Sequence, residues 1–286
     1  LAWGEQVTVD LYGDNLIEVA LDSTASKAVI DQLGTISAEG GVVQMTARAA
    51  KDVVDSAINM DGVINASSVS EQGGRIVLGA DTISFTGKAS ANGGAGKAGG
   101  DVRVIGSKKL TMGGQISAMG NDGTGFVDTS APNISFAPTA AVQTSGHWLI
   151  DPTTFVLDNV IEGILESALV SGDVSLLVLG AGDSLDVQRT VDWSTDKTLT
   201  FDVNNDVSFT TVNAGINATG AGNFILKAGG NVAVQQGMGM VSNGGNITIT
   251  STRFRLDSGV VNANGGNVAI NTTGGFQALA NSIRTS

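Results

Sequence analysis

The sequence contains no cysteine. That excludes a disulfide framework and any thiolate metal site, and leaves nothing covalent to block threading of an unfolded chain. Proline is nearly absent, with three in 286 residues, and aromatics are sparse, at nine Phe, three Trp and one Tyr. Lys and Arg are outnumbered 15 to 27 by Asp and Glu, giving a formal charge of −12. Nucleic-acid binding rests on neutralising phosphates with cations, so this balance disfavours it. The basic spots Lys108–Lys109 and Arg253/Arg255 are too small to reverse that. No apolar run approaches the 18 or more residues of a membrane span. The chain opens on LAWGEQ with neither Met nor a signal peptide, and reads as a piece of a longer protein.

Glycine is what the sequence has in excess, at 40 residues. Apolar residues still make up 42%, more than a disordered chain carries, so the glycines read as structural punctuation. They recur in one phrase: GGVVQM at 40–45, GGRIVL at 73–78, GGDVRV at 99–104, GGNVAV at 229–234, GGNITI at 244–249 and GGNVAI at 265–270. Apolar pairs place coil starts near Val43, Ile76, Val102, Phe126, Leu149, Leu176, Leu199, Phe224, Ile247 and Val268. The gaps are 33, 26, 24, 23, 27, 23, 25, 23 and 21 residues, an imperfect repeat of the kind that marks solenoids.

Each repeat divides into three short alternating strands: Ile76/Leu78, Ile83/Phe85 and Ala89–Ala91, or Ile247/Ile249, Phe254/Leu256 and Val260–Val261. One such repeat cannot bury its inward face alone. Stacked, each strand pairs in parallel with its equivalent one coil away at about 4.8 Å, so ten coils make a rod of about 50 Å. The predicted fold is therefore an all-β parallel β-helix of about ten coils in a single segment, 1–286. Its predicted core column is Val43, Ile76, Val102, Phe126, Leu176, Leu199, Phe224, Ile247 and Val268, each contributing about 1.5–3 kcal/mol on burial. A left-handed hexapeptide helix needs an apolar residue every six, a propeller needs longer blades, and a sandwich has no reason to repeat one corner.

The repeated phrase reads as that corner. Gly40, Gly41, Gly73, Gly74, Gly99, Gly100, Gly229, Gly230, Gly244, Gly245, Gly265 and Gly266 supply positive φ without steric cost. Asn243 and Asn264 precede the glycines and Asn246 and Asn267 follow them, one coil apart, in position for amide ladders. Two stretches break the pattern. The spacing predicts a short helix over 47–59, with Val53, Val54, Ala57 and Ile58 on one face. A second is predicted over 158–172, N-capped by Asp158, striped by Ile161, Ile164, Leu165, Ala168 and Leu169, and stopped by Gly172. Both are expected on the outside of the coil.

Several stretches, namely LYGDNLIEVALD (11–22), GTISAEGGVVQMTARAAKDVVDSAINMDGVINA (34–66), GHWLIDPTTFVLD (146–158) and the region 193–231, resemble filamentous-haemagglutinin-like exoproteins of Gram-negative two-partner secretion. The resemblance implies a right-handed coil, secretion to the cell surface through an outer-membrane transporter acting on an upstream domain, and a role in adhesion. The asparagine-proline-asparagine motifs of that family's secretion domain are absent, so the likeness is to the shaft beyond it.

Motifs for chemistry are thin. His147 is the single histidine, with no nucleophile motif beside it. Carboxylate pairs that a polysaccharide-cleaving β-helix needs are offered by Asp183 with Asp186, Asp202 with Asp206 and Asp192 with Asp196, mostly in turns, where Asp bonds nearby backbone. GGAGKAGGD (93–101) and NDGTG (121–125) resemble fragments of Ca²⁺ loops but lack their alternating acids. Among Trp3, Tyr12, Trp148 and Trp193, the last two fall at or beside the core. No cofactor or metal is expected, and no catalysis. The expected function is a non-enzymatic shaft segment of a secreted adhesin, contacting a host surface, matrix polysaccharide or protein. The alternatives are a purely structural stalk and, from another class, a polysaccharide-cleaving enzyme. Uncapped coil ends would also favour end-to-end self-association.

Overall fold

The computed structural model describes residues 2–3, 16–19, 28–47, 56–121, 123–235, 239–279 and 282–285. It divides into two units, Leu1–Leu149 and Ile150–Ser286. Both are parallel β-solenoids, each with three strands to a coil.

In the N-terminal unit the first face stacks Leu16–Val19, Val42–Thr46, the first half of Arg75–Phe85, the first half of Asp101–Met112, and Phe126–Ser130. The second stacks Ala28–Gln32, Ser56–Met60, the later halves of the same two long strands, and Asn133–Phe136. The third stacks five short strands, from Thr35–Ser37 to Ala141–Thr144. At the start of the second face Ala2–Trp3 pairs antiparallel with Ala28–Gln32. The core is a set of vertical columns: Val43, Ile76, Val102 and Val127 on the first face, Ile58, Ile83 and Leu110 on the second, all without solvent exposure.

In the C-terminal unit the first face runs Asp173–Val178, Leu199–Val203, Phe224–Ala228, Ile247–Leu256 and Val268–Ala278. Val174, Leu199, Phe224, Ile247 and Val268 form one inward column, and Leu176, Phe201, Leu226, Ile249 and Ile270 the next. The second face runs from Phe155–Leu157 through Leu185–Val187, Val207–Phe209 and Asn231–Val234 into the two long strands.

Two members of the expected column, Phe126 and Leu176, and the expected coil start Leu149 are displaced. Val127, not Phe126, sits over Val102; Phe126 pairs with Asp101 and points outward. Leu149 is half-buried, while Trp148 and Ile150 beside it are fully buried. Leu176 lies inside, but one inward step along its strand, over Phe201 rather than Leu199.

The helix over Asn159–Ala168, α1, is capped as expected: Asp158 Oδ1 accepts from the Val160 and Ile161 amides at 2.9 and 3.1 Å. It is not outside the coil. It follows the second-face strand Phe155–Leu157 and precedes the first-face strand Asp173–Val178, so it stands where a third-face strand would. Its buried residues Ile161, Ile164, Leu165 and Ala168 lie against Thr190–Trp193. It ends at Leu169, which is right-handed, and Gly172 is not among the residues with positive φ. Asp158→Ala is expected to cost about 1 kcal/mol, read as a lowered urea midpoint. The other expected helix is corrected in part. Ser56–Met60 is a strand, with Ala57 and Ile58 paired to Val29 and Ile30 below and to Thr82 and Ile83 above. Positions 48–55 lie outside the described residues.

The corner glycines act mostly through space rather than through φ. Of the twelve, only Gly40, Gly244 and Gly265 have positive φ; at Gly244 and Gly265 it reaches 102°, where side chains are strained. Gly73, Gly74, Gly99, Gly100, Gly229, Gly230, Gly245 and Gly266 are pressed against a neighbouring coil. A Cβ on Gly74 would lie 2.0 Å from the Gly41 carbonyl oxygen, on Gly100 2.0 Å from Gly74's, and on Gly266 2.0 Å from Gly245's. Gly73 meets Ala91, Gly99 meets Ala118, Gly229 meets Asn204 and Gly230 meets the Asp206 carboxylate, at 2.0, 2.4, 2.2 and 2.2 Å. Gly245 meets Gly222 at 2.1 Å. Asn267 donates to Asn246 Oδ1 from its backbone and side chain at 3.0 and 3.2 Å, and the Asn246 amide donates to Asn223 Oδ1 at 2.9 Å, so this ladder is formed. Asn243 and Asn264 do not extend it. Asn243 donates to the Thr219 carbonyl, and Asn264 exchanges bonds with Asn262 in its own coil.

Candidate contact surface

A solenoid hides every second strand residue, so anything it recognises must meet the outward ones or the corners. On the first face of the N-terminal unit, register places Arg75, Asp101 and Phe126 in one outward column and Val77, Arg103 and Asp128 in the next. Asp101 is shared: Arg103 Nε donates to Oδ1 at 2.9 Å and Arg75 lies 3.4 Å away. The Arg103 guanidinium stands 5.2 Å from the centre of the Phe126 ring, and that ring stacks on His147 with centroids 6.3 Å apart. A cation over an aromatic face is attracted by the ring quadrupole.

Asp128 is only 8% exposed, although it points outward. Burial pushes its carboxyl above the usual range, against the opposing pull of the hydrogen bond from Ser130 and the charge of Arg103. The folded state therefore holds this proton more tightly than the unfolded chain. Stability falls as pH rises from the ordinary carboxylate pKa through the raised one, and the penalty is fully present above it. Asp128→Asn keeps an acceptor for Ser130 and removes the charge. The variant is expected to melt higher than the parent at pH 7, with the difference vanishing below about pH 3.

At the bend between first and second faces, Ser56 and Asp81 exchange bonds: the Ser56 amide donates to Asp81 Oδ2 and the Asp81 amide to Ser56 Oγ, both at 3.0 Å. Ser107 donates to the same carboxylate from the coil above, which with the Ser56 amide holds it below its ordinary pKa. Three coils are tied by one side chain.

The expected carboxylate pairs are each divided by a corner. Asp202 is on the first face, 3.4 Å from Lys227, whereas Asp206 is in the following bend and accepts from the Asn231 amide at 2.6 Å. Asp186 is on the second-face strand, with Gln188 Nε2 and Thr210 Oγ1 each 2.7 Å away, whereas Asp183 is in the preceding turn. Asp192 lies on the third face, accepts from Asn217 and donates its amide to Glu166 Oε1 of α1 at 2.9 Å; Asp196 is in the bend beyond, 3.7 Å from Lys197. Burial raises both Glu162 and Glu166. Most of these acids serve as rungs between coils.

Asp186 also lines a shallow depression of about 400 Å³ with Thr154, Val156, Ser184, Ser208 and Thr210. Phe155 and Leu185 line it too, so hydroxyls and apolar side chains share its wall. Trp148 and Trp193 are core residues, the first donating Nε1 to Thr129 Oγ1 at 3.0 Å, the second to the Lys197 carbonyl at 2.9 Å. Trp3 lies in the antiparallel strand, and Tyr12 is outside the described residues.

The two calcium-like stretches are turns in the coil stack. In 93–101, Lys97 pairs with Glu71 at 3.8 Å and Asp101 is held by the two arginines. In 121–125, Asn121 Nδ2 donates to the Gly96 carbonyl at 2.7 Å, and Asp122 is outside the described residues. Among the described residues no group of three or more His, Asp or Glu is gathered to hold a metal ion, and no helix is long and apolar enough to cross a membrane. The sequence pattern does not reveal the outward Arg75–Asp101–Arg103–Phe126 cluster, because hydrophobicity alone points Phe126 inward.

An 80-residue stretch is similar to a protein of Haemophilus influenzae. That relative is a heme/hemopexin-binding protein, 30% identical over 28% of this chain and 8% of its own length. The chain thus spans a small fraction of the curated relative it matches. No protein-family model matches it. No solved structure matches it either.

Proposed function

We propose that this chain is a non-enzymatic shaft segment of a large secreted, adhesin-like bacterial surface protein, which recognises partners through the outward faces of its coils. The observation that carries the reading is how the acids are used. Asp81, Asp186, Asp192, Asp202 and Asp206 each bond a side chain or amide on a neighbouring coil, which suits a surface built to hold its own stack together. The short similarity to a heme/hemopexin-binding protein supports an extracellular setting and makes a host haem carrier one partner class to test, beside matrix polysaccharide. Such contacts gain strength by repetition along a shaft rather than from one deep pocket. A transporter for secretion belongs to this reading through a domain upstream.

Self-association is part of it. Among the described residues, Phe276 and Leu279 are 54% and 56% exposed, an apolar surface that a second copy of the chain could cover.

Immobilised chain should retain hemopexin or a matrix glycan, and Arg75→Ala with Arg103→Ala should weaken that retention without lowering the melting temperature by more than a few degrees. Retention of neither class, with the parent protein still attaching when this segment is deleted, would leave only a spacer. New reducing ends from acidic polysaccharide would make it an enzyme.

A further inference from the structure

The depression of about 400 Å³ on the second face of the C-terminal unit lies wholly within three coils of that unit. Register stands Val156, Asp186 and Ser208 in one outward column through its middle. Thr154 and Ser184 border that column on one side and Thr210 on the other. Phe155 and Leu185 close the bottom, both buried, and Val156 adds an apolar side chain that is 49% exposed. An apolar base with a few convergent polar groups is the composition of small-molecule sites, which run to about 300–1,000 Å³.

Asp186 is held ready to accept. Gln188 Nε2 donates to Oδ2 and Thr210 Oγ1 to Oδ1, both at 2.7 Å, which fixes the plane of the carboxylate. An ionised carboxylate has about four lone-pair positions, so one on each oxygen stays open. Both donors are neutral and no Lys or Arg lines the depression, so nothing there cancels the charge. Asp183, one residue before Ser184, brings a second carboxylate, with Oδ2 buried and unpartnered.

These features select among ligands. Acidic sugars and phosphates are repelled by the two carboxylates. An alkyl ammonium would pair with Asp186 and leave the hydroxyls of Thr154, Ser184 and Ser208 without a role. A neutral sugar ring uses all of them. Two adjacent ring hydroxyls donate to the open positions of Asp186 as charge-assisted bonds, others meet the rim hydroxyls, and the C–H face lies on Val156.

From this arrangement we propose that the depression is a subsite for an uncharged pyranose unit of a glycan chain, with Asp186 as the acceptor that orients it. The proposal rests on the reading of the chain as a surface that contacts matrix polysaccharide, and it names the sugar class taken at this face. One ring on a shallow site binds weakly, at about 1 mM, and gains strength by repetition along a glycan.

The test is a ligand-observed NMR titration of the whole chain with maltotriose, cellotriose and mannotriose, each to about 10 mM, with spermidine and a hyaluronan tetrasaccharide as the ammonium and acidic arms. At least one neutral trisaccharide should bind, and the hyaluronan tetrasaccharide should not displace it. Asp186→Asn, which keeps an oxygen for Thr210 and removes the charge, should weaken binding at least about tenfold. Val156→Lys, which fills the depression from an outward position, should abolish it. Both variants should melt within a few degrees of the parent, and Arg75→Ala with Arg103→Ala should leave sugar binding unchanged. No binding of any trisaccharide, binding unmoved by both substitutions, or binding of spermidine alone would overturn the subsite. The wider reading fails separately, on the retention assay with immobilised chain: a matrix glycan retained while no trisaccharide binds sinks the subsite only.

Discussion

Gly74→Ala is expected to abolish cooperative folding of the N-terminal unit. The new Cβ would stand 2.0 Å from the Gly41 carbonyl oxygen and 2.9 Å from that of Ala66, both backbone atoms with no rotamer to change. Relief requires parting two coils at a point where Gly74 N–H donates to Ala66, Arg75 N–H to Gly41 and Asp101 N–H to Gly74, at 2.8, 2.8 and 3.0 Å. Losses above about 4–5 kcal/mol belong to this class of backbone collision. Gly79→Ala, five residues on and within the strand Arg75–Phe85, has nothing within 4 Å of its Cβ and should be neutral or stabilise by about 0.5–1 kcal/mol through a less mobile unfolded chain. Urea titrations followed by circular dichroism separate the two. Equal midpoints would mean that the coils do not approach as described.

Trp148→Ala should lower stability by about 3–5 kcal/mol, the range for deleting a large buried aromatic. Trp148 is fully buried, its ring meets Phe136 edge-on with centroids 6.1 Å apart, and its indole N–H is satisfied by Thr129. Thr129→Val leaves that N–H unpaired and should cost about 1–3 kcal/mol. Phe126→Ala, on the outward side, should cost less than either. A Phe126→Ala loss exceeding that of Trp148→Ala would restore Phe126 to the core.

That comparison shows what the sequence carried. The repeat, the three strands to a coil and the capped helix after Asp158 follow from period and punctuation, which are local properties. Register was harder, because alternation alone does not say which of two neighbouring apolar residues faces in. In FVDTS, Phe126 and Val127 are both apolar, and hydrophobicity favoured the larger. The tightly packed glycine decides it. Two residues after Gly41, Gly74 and Gly100 come Val43, Ile76 and Val102. The same count from Gly125 and Gly146 gives Val127 and Trp148, which are buried, in place of Phe126 and Leu149; from Gly172 it gives Val174, the residue in register with Leu199, although Leu176 is buried as well. The glycine is fixed by backbone approach across coils, so it marks register better than the apolar residue it precedes. The alanine-rich stretch ending at Ser56–Met60 misled for a related reason: pairing with strands on both sides overrides helical propensity. The outward Arg75–Asp101–Arg103–Phe126 cluster became visible only once register was known. Its members lie in three coils and share no local motif.

The claim beneath all of this is that successive repeats wind so that like residue stands on like. The outward second-face column of the C-terminal unit, Val156, Asp186, Ser208, Ala233, Arg255 and Gln277, tests it without disturbing the core. The chain has no cysteine, so spin labels can be placed at will, one at Val156→Cys and the other at Ala233→Cys, Arg255→Cys or Gln277→Cys. Electron–electron distances should lengthen by about 4.8 Å for each coil added, so the three pairs form an even series with backbone separations of about 14, 19 and 24 Å. Distances that fail to rise in that order, or that fall between Ala233 and Gln277, would contradict the stacked coil and with it every assignment made from its register.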